Sequence, residues 1–401
     1  MIKKNFKIEN KISNKFLDFK FIKKISKNYK NIFNEILLEK NNSNRMLNIF
    51  DEKYKFNFNL NDIQKFKKFK TIAIIGMGGS ILGNEAINNF LAKKIKKKIY
   101  FFNNLDPKKI FNFKKNNKLK NVLFIIISKS GNTIETLSNM LYLKVIKKNS
   151  NNIILITESQ NNFLLSVARK YNLFYVEHKK FIGGRFSVLS EVGILPAYLM
   201  GINIKKLRLN INNVFKKKES LFLKKSSINL AALLNSKKVT NLIFLNYAPE
   251  LEKFLFWCQQ LIAESLGKKG YGFLPVISNA PKDHHSLLQL YLDGPKDKLF
   301  YVFSLDEKYK TSNLRSSLKF INKKNLNDIK FAQKNALIQS LKKNKIPFRE
   351  FKIKKTSEEV IGELFTYFIL ETIIVGKLMK INPFNQPGVE QVKNFTKKLL
   401  S

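Results

Sequence analysis

Two stretches of this sequence are almost unbroken apolar runs, and both open directly into turns of small polar residues. Thr71–Ile75 (TIAII) leads into Gly76-Met-Gly78-Gly79-Ser80, and Val122–Ser128 (VLFIIIS) into Lys129-Ser130-Gly131-Asn132-Thr133. A strand with one wet face alternates apolar and polar residues, whereas a strand without polar positions must be covered on both faces. Helical patterns follow, one from about Leu82 and one running through Leu143, with further strand-like runs at Ile99–Phe102 and Ile153–Thr157. Strand, turn and helix in steady succession predict a parallel sheet sandwiched between helices.

The same order returns later in the chain. Asn241–Asn246, Leu299–Ser304 and Pro347–Ile353 read as strands, while Pro249–Leu266, Phe331–Lys343 and Ser357–Lys380 read as helices. At 401 residues the chain exceeds the roughly 250–300 at which a single core stops growing, so two cores are expected. The expected division is an N-terminal helical segment (1–65), a first α/β domain (66–202), a Lys-rich connection (203–228), a second α/β domain (229–380) and a C-terminal loop and helix (381–401).

Charge narrows the functional classes. The formal net charge is +45, which by itself suggests nucleic acid or an anionic surface. Yet only six of the 74 basic residues are arginine, the residue whose planar fork reads bases and clamps phosphates. Lysine spread among abundant Asn, Ile and Phe fits a coding bias better, and no nucleic-acid partner is expected. The single cysteine, Cys258, excludes an intrachain disulfide and points to a reducing compartment. No stretch has the ~18 apolar residues of a membrane helix, and the basic N-terminus lacks a secretory apolar run. A cytoplasmic chain without membrane contact is expected. Three histidines without a Cys/His cluster leave no structural metal site to propose.

Spacing rules out two readings of the first turn. A dinucleotide fingerprint requires a third glycine where Ile81 stands, and a P-loop requires lysine where Asn84 stands. What remains is general: a backbone that a ligand can approach closely, and a helix start with unpaired N–H groups. The second turn adds Ser128, Lys129, Ser130 and Thr133, which suit a phosphate cradle and equally suit an ordinary Ser/Thr cap. Gly183-Gly184-Arg185 can present a guanidinium from a tight backbone, or be a loop with a surface arginine.

In Pro249–Leu266, the residues Leu251, Phe254, Leu255, Cys258, Leu261 and Ile262 share one stripe, and Glu264 lies off it. A carboxylate in a last turn is mildly unfavourable, and Gly267 then ends the helix. Helix stability does not ask for Glu264; a solvated surface residue is the other reading. The adjacent His284 and His285 point different ways, which argues against a metal pair and leaves one catalytic or capping imidazole.

Taken together, IGMGGSILG (75–83), SKSGNTIET (128–136), GGRFS (183–187), QQLIAESLGK (259–268), HHSLLQLYLDGP (284–295) and NPFNQPGVEQVK (382–393) resemble the phosphoglucose isomerase family, in the family's order. The resemblance implies two flavodoxin-like, three-layer sugar-isomerase domains, each with a five-stranded parallel sheet. It implies interconversion of glucose 6-phosphate and fructose 6-phosphate through a cis-enediol, without metal or organic cofactor, in a homodimer with shared active sites. By the same resemblance Gly79, Ser80, Ser128, Ser130 and Thr133 hold the phosphate, with Lys129 adding charge. Glu264 matches the general base, Arg185 the stabiliser of the enediolate, His285 with Lys393 the ring-opening pair, and Gln386 a substrate contact.

The sequence departs from the family pattern at Asn132, where threonine is usual, at Asn385, where aspartate is frequent, and in the segment ahead of His285. A sugar-phosphate-binding regulator on the same fold is the rival reading. It would keep the cradle and have no use for Glu264, Arg185, His285 and Lys393 together.

Overall fold

The computed structural model describes residues 5–307 and 311–401. Its strands are β1 (Phe6–Lys11), β2 (Thr71–Gly76), β3 (Lys98–Phe102), β4 (Val122–Ile127), β5 (Ile153–Thr157), β6 (Phe174–Glu177), β7 (Asn241–Asn246), β8 (Leu274–Asn279), β9 (Lys298–Leu305) and β10 (Phe348–Ile353). They form two five-stranded sheets, ordered β3-β2-β4-β5-β6 and β1-β10-β9-β7-β8.

The apolar runs behave as strands covered on both faces. Along β4, Leu123, Ile125 and Ile127 enter one core while Phe124 and Ile126 enter another. Along β9, Tyr301 and Phe303 face that first core, and Phe300 and Val302 face a third. One continuous central core therefore joins the inner faces of both sheets, with a smaller core outside each. Helix Glu358–Leu378 is buried nearly all round, as a helix apolar on every side must be. The Lys-rich connection holds helix Ile204–Leu209 and the start of helix Lys217–Ser236.

Every pairing in the first sheet is parallel. The second sheet departs from the all-parallel expectation in one strand, because β1 pairs antiparallel with β10, Phe6 opposite Ile353. The physical reason is that β1 (FKIENK) is a half-exposed edge, which needs no apolar run and so leaves no strand signature. Arg349 of β10 ties it in, donating from Nε to Asn10 Oδ1 at 3.0 Å.

What positions the site is the order of the first sheet. The chain leaves β2 for β3 on one side and then returns to β4 on the other. The turns after β2 and β4 thus flank a topological switch point at the carboxyl ends of the strands, where parallel sheets leave a crevice.

Candidate active site

Gly76 and Ile127 are register partners, so the turns that follow them lie side by side. The first forms a single 3-10 turn, Gly78–Ser80, and the second leads into helix Ile134–Leu143. Ser80 and Ser128 are buried, and Ser128 Oγ meets Thr133 Oγ1 at 3.0 Å. Thr133 occupies the N-cap position but caps nothing, since its hydroxyl is turned toward Ser128. Helix Leu82–Phe90 likewise starts without a side-chain cap. Two helix starts with free N–H groups, beside three hydroxyls, form the arrangement that binds an anion. The turn therefore does not act as an ordinary side-chain cap of its helix.

Asn132, where the family usually has threonine, has a task of its own. Its Oδ1 accepts from the Phe163 amide at 3.0 Å, stitching the cradle turn to the next helix, so it adds no free hydroxyl. Ser130 is exposed at the rim. Lys129 leans on the far wall, 3.5 Å from Glu158 and donating to the Lys180 carbonyl at 2.9 Å.

Close backbone approach builds the other half of the site. A Cβ on Gly79 would sit 2.2–2.4 Å from the backbone of Gly184 and Arg185, so this glycine turn and the arginine turn are in direct contact. Gly78, at φ +51°, faces the Gln260 amide in the same way. Gln260 in turn donates from Nε2 to Glu264 Oε1 at 3.0 Å, one helical turn on. The glycine turn therefore touches both the arginine and the support of the glutamate.

Arg185 is buried, and every nitrogen of its guanidinium is engaged. Nε donates to Ser265 Oγ at 2.9 Å, and Nη1 to Glu264 Oε2 at 3.2 Å and Gln386 Oε1 at 3.1 Å. Nη2 donates to the carbonyls of Pro383 and Asn385. Burial pulls the arginine's affinity for its proton down, and Glu264 restores it only in part. Because arginine stays protonated regardless, that direction means positive charge left under-neutralised. Glu264 is open on one side, its side chain 29% exposed. A second cation, Lys268, is pushed down to about 8 by burial and then by Arg185, with Glu264 opposing.

The structure thus joins Arg185, Glu264 and Gln386 by hydrogen bonds and sets Gly79 against the arginine turn. His285 and Lys393 are not joined to this cluster by any hydrogen bond or ion pair among the described residues. His285 is exposed at the end of a 3-10 turn, Lys282–His285. Its neighbour His284 is the engaged one, with Nε2 2.6 Å from Tyr247 Oη. Lys393 lies on helix Glu390–Leu400, paired with Glu390 at 2.8 Å and half exposed. Sequence reasoning did not single out Gln260, Ser265 or Lys268 as functional. The signals were the i, i+4 spacing of Gln260 and Glu264 and the place of all three in the string QQLIAESLGK (259–268).

Residues 44–271 match the family model for phosphoglucose isomerase. A probable glucose-6-phosphate isomerase of Methanococcus maripaludis is 33% identical over 386 residues, covering 92% of this chain and 87% of that protein. A glucose-6-phosphate isomerase of Methanocaldococcus jannaschii is 32% identical over 366 residues, covering 88% of each. In fold, the chain is similar to a glucose-6-phosphate isomerase of Chlamydia trachomatis, with a TM-score of 0.78 at 17% identity over 99% of this chain and 88% of that one.

Proposed function

The chain belongs to the phosphoglucose isomerase family, and we propose that Glu264 and Arg185 perform its reaction, the reversible conversion of D-glucose 6-phosphate to D-fructose 6-phosphate through a cis-enediol. The observation that carries the residue assignment is one pair. A solvent-open carboxylate sits 3.2 Å from a buried arginine whose other acceptors are all neutral.

The chemistry follows from that pair. The phosphate rests on Gly79, Ser80, Ser128, Ser130 and Thr133 and on the uncapped helix starts, with Lys129 adding positive charge from the far wall. Binding at this remote end holds the reacting carbons in place. The Glu264 carboxylate takes the proton from carbon 2 of the open-chain aldose, or carbon 1 of the ketose, and returns it to the neighbouring carbon. As the proton leaves, negative charge builds on the adjacent oxygen, and the under-neutralised guanidinium is fixed in advance to receive it. Gln386 and Gln260, both bonded within the pair, hold the two side chains in register. Proton transfer of this kind asks for no cofactor.

Ring opening falls to His285 assisted by Lys393, and here a second copy of the chain enters. Both residues are exposed, and among the described residues neither is bonded to the Arg185–Glu264 pair. Helix Glu390–Leu400 has no buried residue and shows an apolar stripe of Val392, Phe395 and Leu399. A homodimer that covers this stripe and lends His285 to its partner accounts for both facts. A cytoplasmic location is in keeping with the one cysteine, Cys258, being free and buried, and no helix among the described residues is long and apolar enough to cross a membrane.

The test is conversion of fructose 6-phosphate to glucose 6-phosphate by the purified protein with EDTA present, at low and high salt. Turnover is expected at both. Binding of the sugar phosphate without turnover would instead favour the regulator. For the shared site, mixing inactive Glu264→Gln and His285→Ala dimers should restore part of the activity. A mixture as inactive as its parents would remove the histidine from the partner's site.

A further inference from the structure

Both supports of Arg185 converge on one lysine. Lys268 Nζ donates to the Ser265 carbonyl at 3.1 Å and to the Asn382 carbonyl at 2.6 Å. Ser265 is the residue whose hydroxyl receives Arg185 Nε. Asn382 starts the loop whose next residues, Pro383, Asn385 and Gln386, supply three more acceptors to the same guanidinium. The two segments are more than a hundred residues apart in sequence, and Lys268 bridges them beside Arg185 and a longer contact from Lys269 Nζ to the Lys380 carbonyl at 3.5 Å.

The lysine is itself well placed for this. Gly267 ends the glutamate helix, Lys268 N–H bonds the Leu266 carbonyl at 2.9 Å, and its own carbonyl accepts from Tyr271 at 3.0 Å. Arg185 also grips this loop, through Pro383, Asn385 and Gln386, and Pro383 is buried, so Lys268 secures the end at Asn382. Phe384 is partly exposed, with its ring 5.7 Å from that of Phe186, and Phe384 N–H bonds Asn382 Oδ1 within the loop.

We propose that Lys268 is a positioning residue for the isomerisation: it clamps the 382–386 loop to the end of the glutamate helix and so fixes Arg185 where negative charge develops. The proposal rests on the reading of Glu264 and Arg185 as the reacting pair. The charged groups acting on Lys268 are Arg185 and Glu264, and the loop 382–386 adds no titratable side chain. With its ammonium lowered to about 8, the lysine loses its charge in mildly alkaline solution, and a neutral amine is a weaker donor to a carbonyl.

The experiment compares wild type, Lys268→Met and Lys268→Arg by steady-state kinetics from about pH 6.5 to about pH 9.5, alongside amide hydrogen exchange of residues 382–388. Lys268→Met is expected to lower kcat about tenfold to a hundredfold with KM little changed, and to speed exchange in the loop. Lys268→Arg, which stays charged, is expected to recover most of kcat and to lose the alkaline decline near pH 8. Wild-type kcat, pH profile and exchange in Lys268→Met would overturn the proposal. So would a fall in kcat with the loop's exchange unchanged. Should Lys268→Met not fold, a wild-type alkaline limb in Lys268→Arg overturns it instead. A wild type without isomerase activity would refute the catalytic reading, while the exchange data would still decide whether Lys268 holds the loop.

Discussion

Arg185 and Arg349 are both buried and both face a glutamate, yet their charges are treated in opposite ways. Arg349 lies in the second sheet's core. Its Nη1 reaches Glu371 Oε1 and Tyr301 Oη, each at 2.7 Å, and Nη2 reaches the Ser226 carbonyl at 2.6 Å. Tyr367 also donates to Glu371, at 2.9 Å. Burial alone would lower the proton affinity of Arg349, but Glu371, Tyr301 and Tyr367 raise it above the ordinary arginine value. At Arg185 burial is only partly offset by Glu264, because the ion pair is longer, 3.2 Å against 2.7 Å, and the glutamate is partly open to solvent. A charge neutralised inside the protein is architecture. One held in place and left short of counter-charge is a resource for chemistry.

Exchanging each arginine for a neutral side chain should divide stability from activity. Arg349→Met strands Glu371 in the core and is expected to cost about 3–5 kcal/mol in denaturant unfolding, with kcat of the folded protein kept. Arg185→Met is expected to lower kcat by roughly 10²–10³-fold while the melting temperature moves little. Loss of stability without loss of kcat at position 185 would erase the distinction.

A third buried cationic side chain solves the problem by discharging. His178 is fully buried, bonded through Nδ1 to the Lys179 carbonyl, and pushed down to about 4 by burial and then by Lys129. Between its ordinary value near 6.5 and about 4, the unfolded chain binds a proton that the folded chain refuses, so stability falls on acidification. The contribution is up to roughly 3 kcal/mol, complete once the pH is below 4. Unfolding of wild type and His178→Leu at neutral and acid pH reads it directly, and equal pH slopes in the two would exclude it.

Smaller changes probe how firmly the site arginine is seated. Gly79→Ala puts a methyl group against the Gly184 and Arg185 backbone, which has no flexible end to yield. A displacement there is expected to reduce kcat/KM by about a hundredfold, at little cost to the distant Arg349 network. Ser128→Ala removes one hydroxyl from the cradle and should raise KM about tenfold with kcat nearly kept, in line with one hydrogen bond to a charged group. A kcat defect as large as that of Gly79→Ala would mean that Ser128 also serves the reacting end.

Much of this was legible because it is local. The β2 and β4 runs, their turns and the stripe of helix Glu252–Leu266 each lie within one element, where periodicity speaks. The contacts that give Arg185 its character join residues 79 to 201 positions apart, and such pairs leave no period. Strand β1 was illegible because a half-exposed edge carries no apolar run, and its partner lies more than 330 residues away. Lys268 was hidden differently. One lysine among 68 carries no compositional signal; the string QQLIAESLGK contains it, but the two carbonyls at its ammonium show what it holds.

The central claim is that Glu264 moves a carbon-bound proton in the field of Arg185. The most direct measurement is deuterium incorporation into fructose 6-phosphate recovered from D2O after incubation with wild type or Glu264→Gln. The account predicts deuterium at carbon 1 with the wild type and almost none with the variant, both proteins being equally folded. Exchange at the wild-type rate in Glu264→Gln would contradict it, and the base would have to be sought elsewhere in the site.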